Sequence, residues 1–191
     1  MRAMKLNAIH HFANMKQTFN STGNNLTEVN NCAFCFDCFD NVSDCKYCIN
    51  GVGKMTDTYD AYGPGLGSLL YEVIDSGDRA SNLICTIVTW NCVNCTYTYN
   101  CHGCSDLFGC IGLRNKKYCI LNKQYTKEEY EELVLKIKSN MQEFPYVDSR
   151  NRIFRYGDFM PYNISPFSYN ETIAHEYVPK IKADVLNEGF S

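Results

Sequence analysis

The cysteines of this chain recur in a fixed phase, and that phase restricts what the chain can fold into. Residues 82–126 divide into the nine-residue blocks NLICTIVTW, NCVNCTYTY, NCHGCSDLF, GCIGLRNKK and YCILNKQYT. The blocks begin with Asn82, Asn91, Asn100, Gly109 and Tyr118, and their second position holds Leu83, Cys92, Cys101, Cys110 and Cys119. Turn-forming residues align with one another, as do small apolar residues, and internal repetition produces this pattern.

Short strands explain a nine-residue repeat better than helices do, because helical repeats are far longer. A strand of about four residues and a turn use about nine residues, so two blocks would close one flattened coil of about 18 residues. This interpretation predicts a parallel β-solenoid in which Cys92 lies over Cys110 and Cys101 lies over Cys119.

The same model assigns a direction to each aligned position. The aligned Leu and Cys residues point inward, while Asn82, Asn91 and Asn100 lie at turns. Successive coils are about 4.8 Å apart, so a narrow interior accepts only compact side chains such as reduced cysteine. The N-terminal sequence NNCAFCFDCFDNVSDCKYCIN has the same character in poorer phase, which predicts bulged or irregular coils there.

The period changes after Tyr125. Thr126 and Glu129 fit a capping box, and an apolar face follows, formed by Tyr130, Leu133, Val134, Ile137 and Met141. We expect an amphipathic helix from Lys127 to about residue 142 that caps the solenoid. The predicted division is an N-terminal segment over 1–30, a cysteine-rich β-solenoid over 31–125 and a helical C-terminal cap and tail over 126–191.

Two shorter elements are predicted in that tail. The sequence ISPFSYNETIAHEYVP indicates a short helix with Ser165 as its N-cap and Pro166 at the first helical position. A last helical turn is expected to end at Gly189.

Two stretches resemble an uncharacterised family of cysteine-rich proteins predicted from small-genome uncultured bacteria. They are FGCIGLRNKKYCILNKQYTKEEYEEL at 108–133 and SPFSYNET at 165–172. The resemblance implies a short-rung β-helix rich in NC and DC dipeptides from about Asn31 to the C-terminal helices. Many members carry zinc-ribbon modules before the repeats, and this sequence departs from them there. The resemblance implies no established activity.

The cysteines allow three kinds of chemistry. Cys92, Cys95, Cys101 and Cys104 form two C-x-x-C pairs that could bind zinc as four thiolates, although only five residues separate the pairs. Cys32, Cys35 and Cys38 resemble the start of an iron-sulfur run without its Cys-Pro. Reduced, buried thiols that simply fill the core are the third interpretation.

No catalytic set is evident. His102 follows Cys101 directly, but adjacent residues of a strand point to opposite faces, so these two cannot easily form a Cys/His pair. His10, His11 and His175 have no recognisable partners in the sequence. The chain is therefore predicted to be non-enzymatic.

The overall charge does not indicate a partner. There are 18 basic and 21 acidic residues, and no run approaches the roughly 18 apolar residues of a membrane helix. We therefore expect a cytoplasmic protein with no membrane contact and with reduced thiols. One basic cluster consists of Arg114, Lys116, Lys117 and Lys123. It is either a solubilising edge or a contact for an acidic or phosphate-bearing partner, with Tyr118 and Tyr125 available to stack on a base.

Two function classes follow from these observations. The first is a β-solenoid scaffold or binding protein with a cysteine-lined core and an unknown protein partner. The alternative is a zinc-binding, or less readily iron-sulfur, protein that contacts nucleic acid.

Overall fold

The computed structural model describes residues 12–148, 150–165 and 167–190. Within these residues, eleven strands form one sheet whose spatial order follows the chain. Every pairing from β1 to β10 is parallel, and β10 and β11 pair antiparallel. The chain is therefore mainly β and winds into a parallel β-solenoid of about nine coils, which confirms the predicted fold class.

The strands of the solenoid are short. They are β1 Met15–Lys16, β2 Gly23–Asn30, β3 Cys35–Ser43, β4 Lys46–Ile49, β5 Met55–Tyr62, β6 Gly67–Ile74, β7 Ala80–Ile87, β8 Val93–Thr96, β9 Ser105–Phe108, β10 Lys117–Ile120 and β11 Lys123–Gln124. Pairing therefore begins before Asn31, inside the predicted N-terminal segment. The compact unit formed by the coils ends at Gln124, and a second unit begins at Tyr125.

The coils are shorter than predicted. Most contain 12 or 13 residues, which are the separations of the stacked pairs Asn94 and Asp106, and Asn31 and Asp44. The first described coil is one residue shorter still, since Met15 pairs with Leu26. The expectation that Cys92 lies over Cys110 is therefore wrong, as is the expectation that Cys101 lies over Cys119. Cys119 instead lies over Leu107, which in turn lies over Cys95.

The true repeating unit is three residues long. Every third side chain is buried between residues 80 and 110, namely Ala80, Leu83, Thr86, Thr89, Cys92, Cys95, Thr98, Cys101, Cys104, Leu107 and Cys110. A coil therefore has four inward positions separated by four corners. Nine and twelve are both multiples of three, which is why a nine-residue register selects inward residues correctly but stacks them wrongly.

The corners depend on left-handed backbone. Between residues 80 and 110, the residue before each inward position has a positive φ, for example 54° at Asn91, 55° at Asn94 and 53° at Asn100. Asn, Asp and Gly tolerate this conformation best, because other side chains clash with the following carbonyl. The dipeptide Asn-Cys thus encodes a corner followed by an inward side chain.

The longer coils take their additional residue at a corner. Asp40 and Asn41 both have positive φ, as do Asp78 and Arg79, and the inward spacing there becomes four. The pairing of β2 with β3 also shifts between Thr27 and Val29. The N-terminal coils are therefore irregular, as the sequence indicated.

The second unit begins with helix α1, Lys127–Glu143, whose two capping-box hydrogen bonds are both present. The amide of Glu129 donates to Thr126 Oγ1 at 3.2 Å, and the Thr126 amide donates to Glu129 Oε2 at 3.0 Å. Tyr130 and Val134 are buried, whereas Leu133, Ile137 and Met141 are partly exposed. The role of α1 as a cap for the coils stays a prediction.

The rest of this unit is built from short elements. Strands β12 Tyr146–Val147 and β13 Ile153–Phe154 form a hairpin, and two 3-10 turns, Tyr162–Ile164 and Tyr169–Glu171, precede the helices α2 Ala174–Tyr177 and α3 Lys182–Asn187. Among the described helices, none has the length and apolar character needed to cross a bilayer.

One predicted boundary in this unit is wrong. Ser168, not Ser165, caps the turn before α2, because Glu171 lies three residues after Ser168 and completes a capping box. Pro166 lies outside the described residues. Gly189 follows α3 with a φ of 84°, as the sequence predicted.

Candidate functional site: the thiol-lined core and an exposed apolar column

The core thiols are hydrogen-bonded, not merely packed. All twelve cysteines lie in the described part of the chain, and all are reduced and buried. Eleven of them donate from Sγ to the carbonyl two residues earlier, at distances from 3.0 Å in Cys45 to 3.6 Å in Cys101. Thr58, Ser76 and Thr89 make the same bond with a hydroxyl. Cys85 differs because it occupies a corner, with a φ of 54°.

Some of these sulfur atoms also accept hydrogen bonds from the next coil. The Lys116 amide donates to Cys104 Sγ at 3.4 Å, and the Asn122 amide donates to Cys110 Sγ at 3.4 Å. A buried amide needs a partner, and cysteine provides one while remaining compact and apolar. The inward thiols therefore have a structural role.

The predicted zinc ligands are only partly brought together. The Cys92 sulfur interacts with the side chain of Cys95, at the next inward position, and accepts a hydrogen bond from the amide of Cys104 in the next coil. Cys101 belongs to a different inward row from these three thiols. It lies over Thr89, because the residues that follow the two, His102 and Trp90, pair with each other. The position that would complete a square with the first three thiols holds Leu107. Within the described residues, no group of three or more His, Cys, Asp or Glu side chains could hold a metal ion as it stands.

A more complete group of thiols lies in the N-terminal coils. The side chains of Cys32, Cys35, Cys48 and Cys45 interact in sequence around a closed ring, which we call the thiol ring. The neighbouring Cys32 thiol lowers the pKa of Cys35 and of Cys45. Interactions with Cys35 and Cys45 raise the pKa of Cys32 and of Cys48. The four thiols therefore influence one another's protonation.

The thiol ring was not predicted from the sequence. Its four members form two C-x-x-C pairs one coil apart, since Ala33 pairs with Lys46. These pairs stack only when the coil contains 13 residues, the separation of Asn31 and Asp44. The sequence had suggested a longer coil.

His102 lies on the outside of the coil, as expected for a neighbour of the buried Cys101. Its Nε2 lies 3.1 Å from Asn100 Oδ1, and its ring centroid lies 5.2 Å from that of Trp90. Partial burial, with the nearby Arg114, lowers the pKa of His102. No Cys/His pair forms at this point. His10 and His11 lie outside the described residues, and His175 is exposed in α2.

The four basic residues do not form one surface. Arg114 continues the column of Trp90 and His102, and its Nη2 donates to Asn100 Oδ1 at 3.1 Å. Lys117 belongs to another side of the coil, where it pairs with Ser105. Lys116 occupies the end of an inward column, and Lys123 lies in β11. A role for these residues in partner binding stays a prediction.

An exposed column of large apolar side chains is the feature that sequence reasoning missed. On seven consecutive described coils, the residue after one inward position pairs in register with its equivalent on the next coil. We call this set the apolar column, and its members are Phe36, Ile49, Tyr62, Ile74, Ile87, Tyr99 and Ile111. Ile87 is partly exposed, and the other six are between 39% and 60% exposed.

The apolar column forms a continuous ridge along the coils. Six steps of about 4.8 Å give it a length of about 29 Å, and parallel pairing fixes each backbone position. The next residue on each coil is at a corner, and most of these residues are small: Asp37, Asn50, Gly63, Asp75, Val88, Asn100 and Gly112. The equivalent positions on another side of the solenoid are mainly hydroxyl residues, including Ser43, Thr56, Ser68, Ser81 and Ser105. Large apolar residues also follow a third side, where Tyr59, Tyr71 and Ile84 pair in register, but the later members of that row, Thr96, Phe108 and Ile120, are buried. The apolar column is therefore the row that stays exposed over seven coils.

No protein-family model, curated protein or solved structure matches the chain. Its function must therefore be inferred from its own geometry. The resemblance to the cysteine-rich family stays an expectation from the sequence.

Proposed function

We propose that this chain is a non-enzymatic β-solenoid that binds another protein through the apolar column. The observation that carries the proposal is the in-register exposure of seven large apolar side chains on a fixed backbone. Side chains that are roughly half exposed would together present about 600 Å² of apolar surface. Monomeric proteins rarely leave a larger contiguous apolar surface in water, and surfaces of this size commonly mark interaction sites.

The core supports the same proposal from another direction. Many inward positions hold thiols or hydroxyls that hydrogen-bond to the backbone, so the coils are held at many points along the solenoid. A surface that is already ordered loses little conformational entropy when a partner binds. A rigid column is therefore well suited to recognition.

Residue-level carbene footprinting tests this proposal. The measurement compares dilute purified protein with the same protein returned to an extract of the cells that express it. We expect Ile49, Ile74 and Ile111 to be labelled less in the extract, because a partner covers them. Val52, which is 49% exposed and lies outside the apolar column, is the internal control. Equal labelling of the column in the two samples would remove the proposal.

Zinc binding is a second candidate function, and the closure of the thiol ring favours it. Four cysteines in two stacked C-x-x-C pairs are the ligand set of many structural zinc sites. The four thiols now donate to backbone carbonyls, so they would have to turn toward a common centre about 2.3 Å from each sulfur.

Elemental analysis of protein purified without chelator tests this second candidate. One zinc per chain, lost in Cys48→Ser and retained in Cys119→Ser, is the expected result. Metal-free wild-type protein that does not take up added zinc would eliminate the candidate.

A further inference from the structure

We infer that the protein that covers the apolar column is a second copy of this chain, packed antiparallel about a two-fold axis. The inference rests on the proposed function, and it specifies the partner. Three independent features of the solenoid favour this arrangement: the order of side chains in the column, the distribution of charge along the coils and the size of the apolar surface.

The order of side chains favours antiparallel self-pairing. From the N-terminal end the column reads Phe, Ile, Tyr, Ile, Ile, Tyr, Ile. When a second copy is reversed, each aromatic ring faces an isoleucine, and Ile74 at the centre faces its own equivalent. Parallel pairing would instead place each bulky ring against the same ring. The two columns also share one repeat of about 4.8 Å, so they remain in step along their full length.

Charge is distributed unevenly along the solenoid. Residues 26–78 contain nine acidic and two basic residues, whereas residues 79–124 contain one acidic and five basic residues. The N-terminal coils are therefore acidic, and the C-terminal coils are basic. Because the basic residues lie on several sides of the coil, these charges act on a second copy at long range and not as contacts across the column. Antiparallel packing brings each acidic half near the basic half of the other copy, while parallel packing brings like halves together.

The area suits a modest but specific dimer. Two columns of about 600 Å² each would bury about 1,200 Å², which is the lower end of the range for specific protein interfaces. An isologous interface also explains why one surface is enough, since the same column serves both partners. The expected dissociation constant is of the order of micromolar.

Sedimentation equilibrium of the purified full chain tests the inference. We expect wild-type protein to change from monomer to dimer as its concentration increases. Ile74→Lys should weaken dimerisation at least about tenfold, because it places two like charges opposite one another at the two-fold axis. Val52→Lys is the matched control, since it adds the same charge on another side of the coil and should leave dimerisation unchanged. Circular dichroism and the thermal unfolding midpoint establish that the variants fold.

The orientation of the copies is tested separately. A photo-crosslinking amino acid at position 36, in mixed isotopically labelled and unlabelled protein, should join to residues near Ile111 of the other copy, because antiparallel packing places these two ends of the column together. Crosslinks between equivalent halves would overturn the antiparallel arrangement.

The same experiments separate this inference from the proposed function. If purified protein stays monomeric while the column is protected in extract, the inference that the partner is a second copy is overturned, and the proposal that the column binds another protein stands. If the column is protected in neither sample, both are overturned. A dimer that is weakened equally by the two lysine substitutions would also overturn the inference.

Discussion

Cys104 lies directly over Cys92, and its backbone amide donates a 3.3 Å hydrogen bond to the Cys92 sulfur. The same sulfur donates to the carbonyl of Trp90 at 3.3 Å. Cys92 thus acts as both donor and acceptor while it fills a fully buried inward position. The abundance of cysteine in this chain is explained by hydrogen bonding and size, without disulfide formation.

Thiol accessibility follows from this burial. We expect the cysteines to react slowly with a maleimide in the native protein and rapidly in denaturant, because modification requires the coils to open. Mass spectrometry at successive times measures the number of modified thiols. Several rapidly modified thiols in native protein, or disulfides after intracellular expression, would contradict the structural role.

Thr89 allows the donor role to be tested directly. Its hydroxyl lies 3.3 Å from the carbonyl oxygen of Ile87 and 3.1 Å from Thr98 Oγ1. Thr89→Val removes the donor at nearly constant volume and should lower the free energy of unfolding by about 1–2 kcal/mol. Thr89→Cys should cost less, because a thiol can donate to the same carbonyl. Urea denaturation measures both variants, and equal losses would argue against the role of the hydrogen bond.

The corner at Asn94 is predicted to reject β-branched residues. Asn94 has a φ of 55°, accepts from Asn82 Nδ2 at 3.0 Å and donates to Asp106 Oδ1 at 3.1 Å. Asn94→Val should lower the free energy of unfolding by about 2 kcal/mol, because left-handed backbone is costly for such a side chain. Asn94→Gly accepts the backbone conformation and should cost about 1 kcal/mol or less. A valine variant as stable as the glycine variant would contradict the account of the corners.

Stability is expected to decrease at alkaline pH. Burial raises the pKa of Cys101 from 9.0 to about 11, and burial also raises the pKa of Cys104, Cys110 and Cys119. Between pH 9 and pH 11 the unfolded chain loses these protons first. The contribution of these thiols to the free energy of unfolding therefore has its full value below pH 9 and falls as the pH rises toward 11. Cys101 alone would contribute a decrease of about 2–3 kcal/mol.

Cys101→Thr is the control for this pH dependence, since Thr89 occupies the equivalent position in the preceding coil. Tyrosines and lysines titrate in both proteins, so only the difference between their urea denaturation curves reports on Cys101. Identical decreases in the two proteins between pH 9 and pH 11 would argue against the contribution of this thiol.

The capping box of α1 should have a measurable effect on the second unit. Thr126→Ala removes the acceptor of the Glu129 amide and should destabilise the helix by about 1 kcal/mol. Thr126→Ser keeps an acceptor oxygen and should retain most of the stability. Hydrogen exchange of the amides near the start of α1 distinguishes these variants, and unchanged exchange in Thr126→Ala would contradict the role of the cap.

The solenoid and its inward residues could be predicted because they depend on local chemistry. Asn before Cys marks a left-handed corner followed by a compact inward side chain, and this pairing recurs at Asn91, Asn94 and Asn100. The capping box at Thr126 is equally local. Each of these features involves residues within a few positions of one another, so a single sequence is enough to detect it.

The coil length depends on how four corners close, and the nine-residue register did not determine it. Asn82 shares its conformation with Asn91, yet it stacks on Asn94. The thiol ring and the apolar column followed from the coil length and were missed with it. Writing the sequence in rows of one true coil each aligns Tyr62 with Ile74 and Tyr99 with Ile111, and this alignment was the available signal.

The paired left-handed residues at Asp40 and Asn41, and at Asp78 and Arg79, have a consequence for how such a chain can change over evolutionary time. An insertion of one residue at a corner is absorbed locally, whereas the same insertion within a straight segment would rotate every later side chain out of phase. Duplication of a whole coil would lengthen the molecule by one increment and preserve the spacing of its surface. Genes for such proteins can therefore change in length without a new core having to be selected each time.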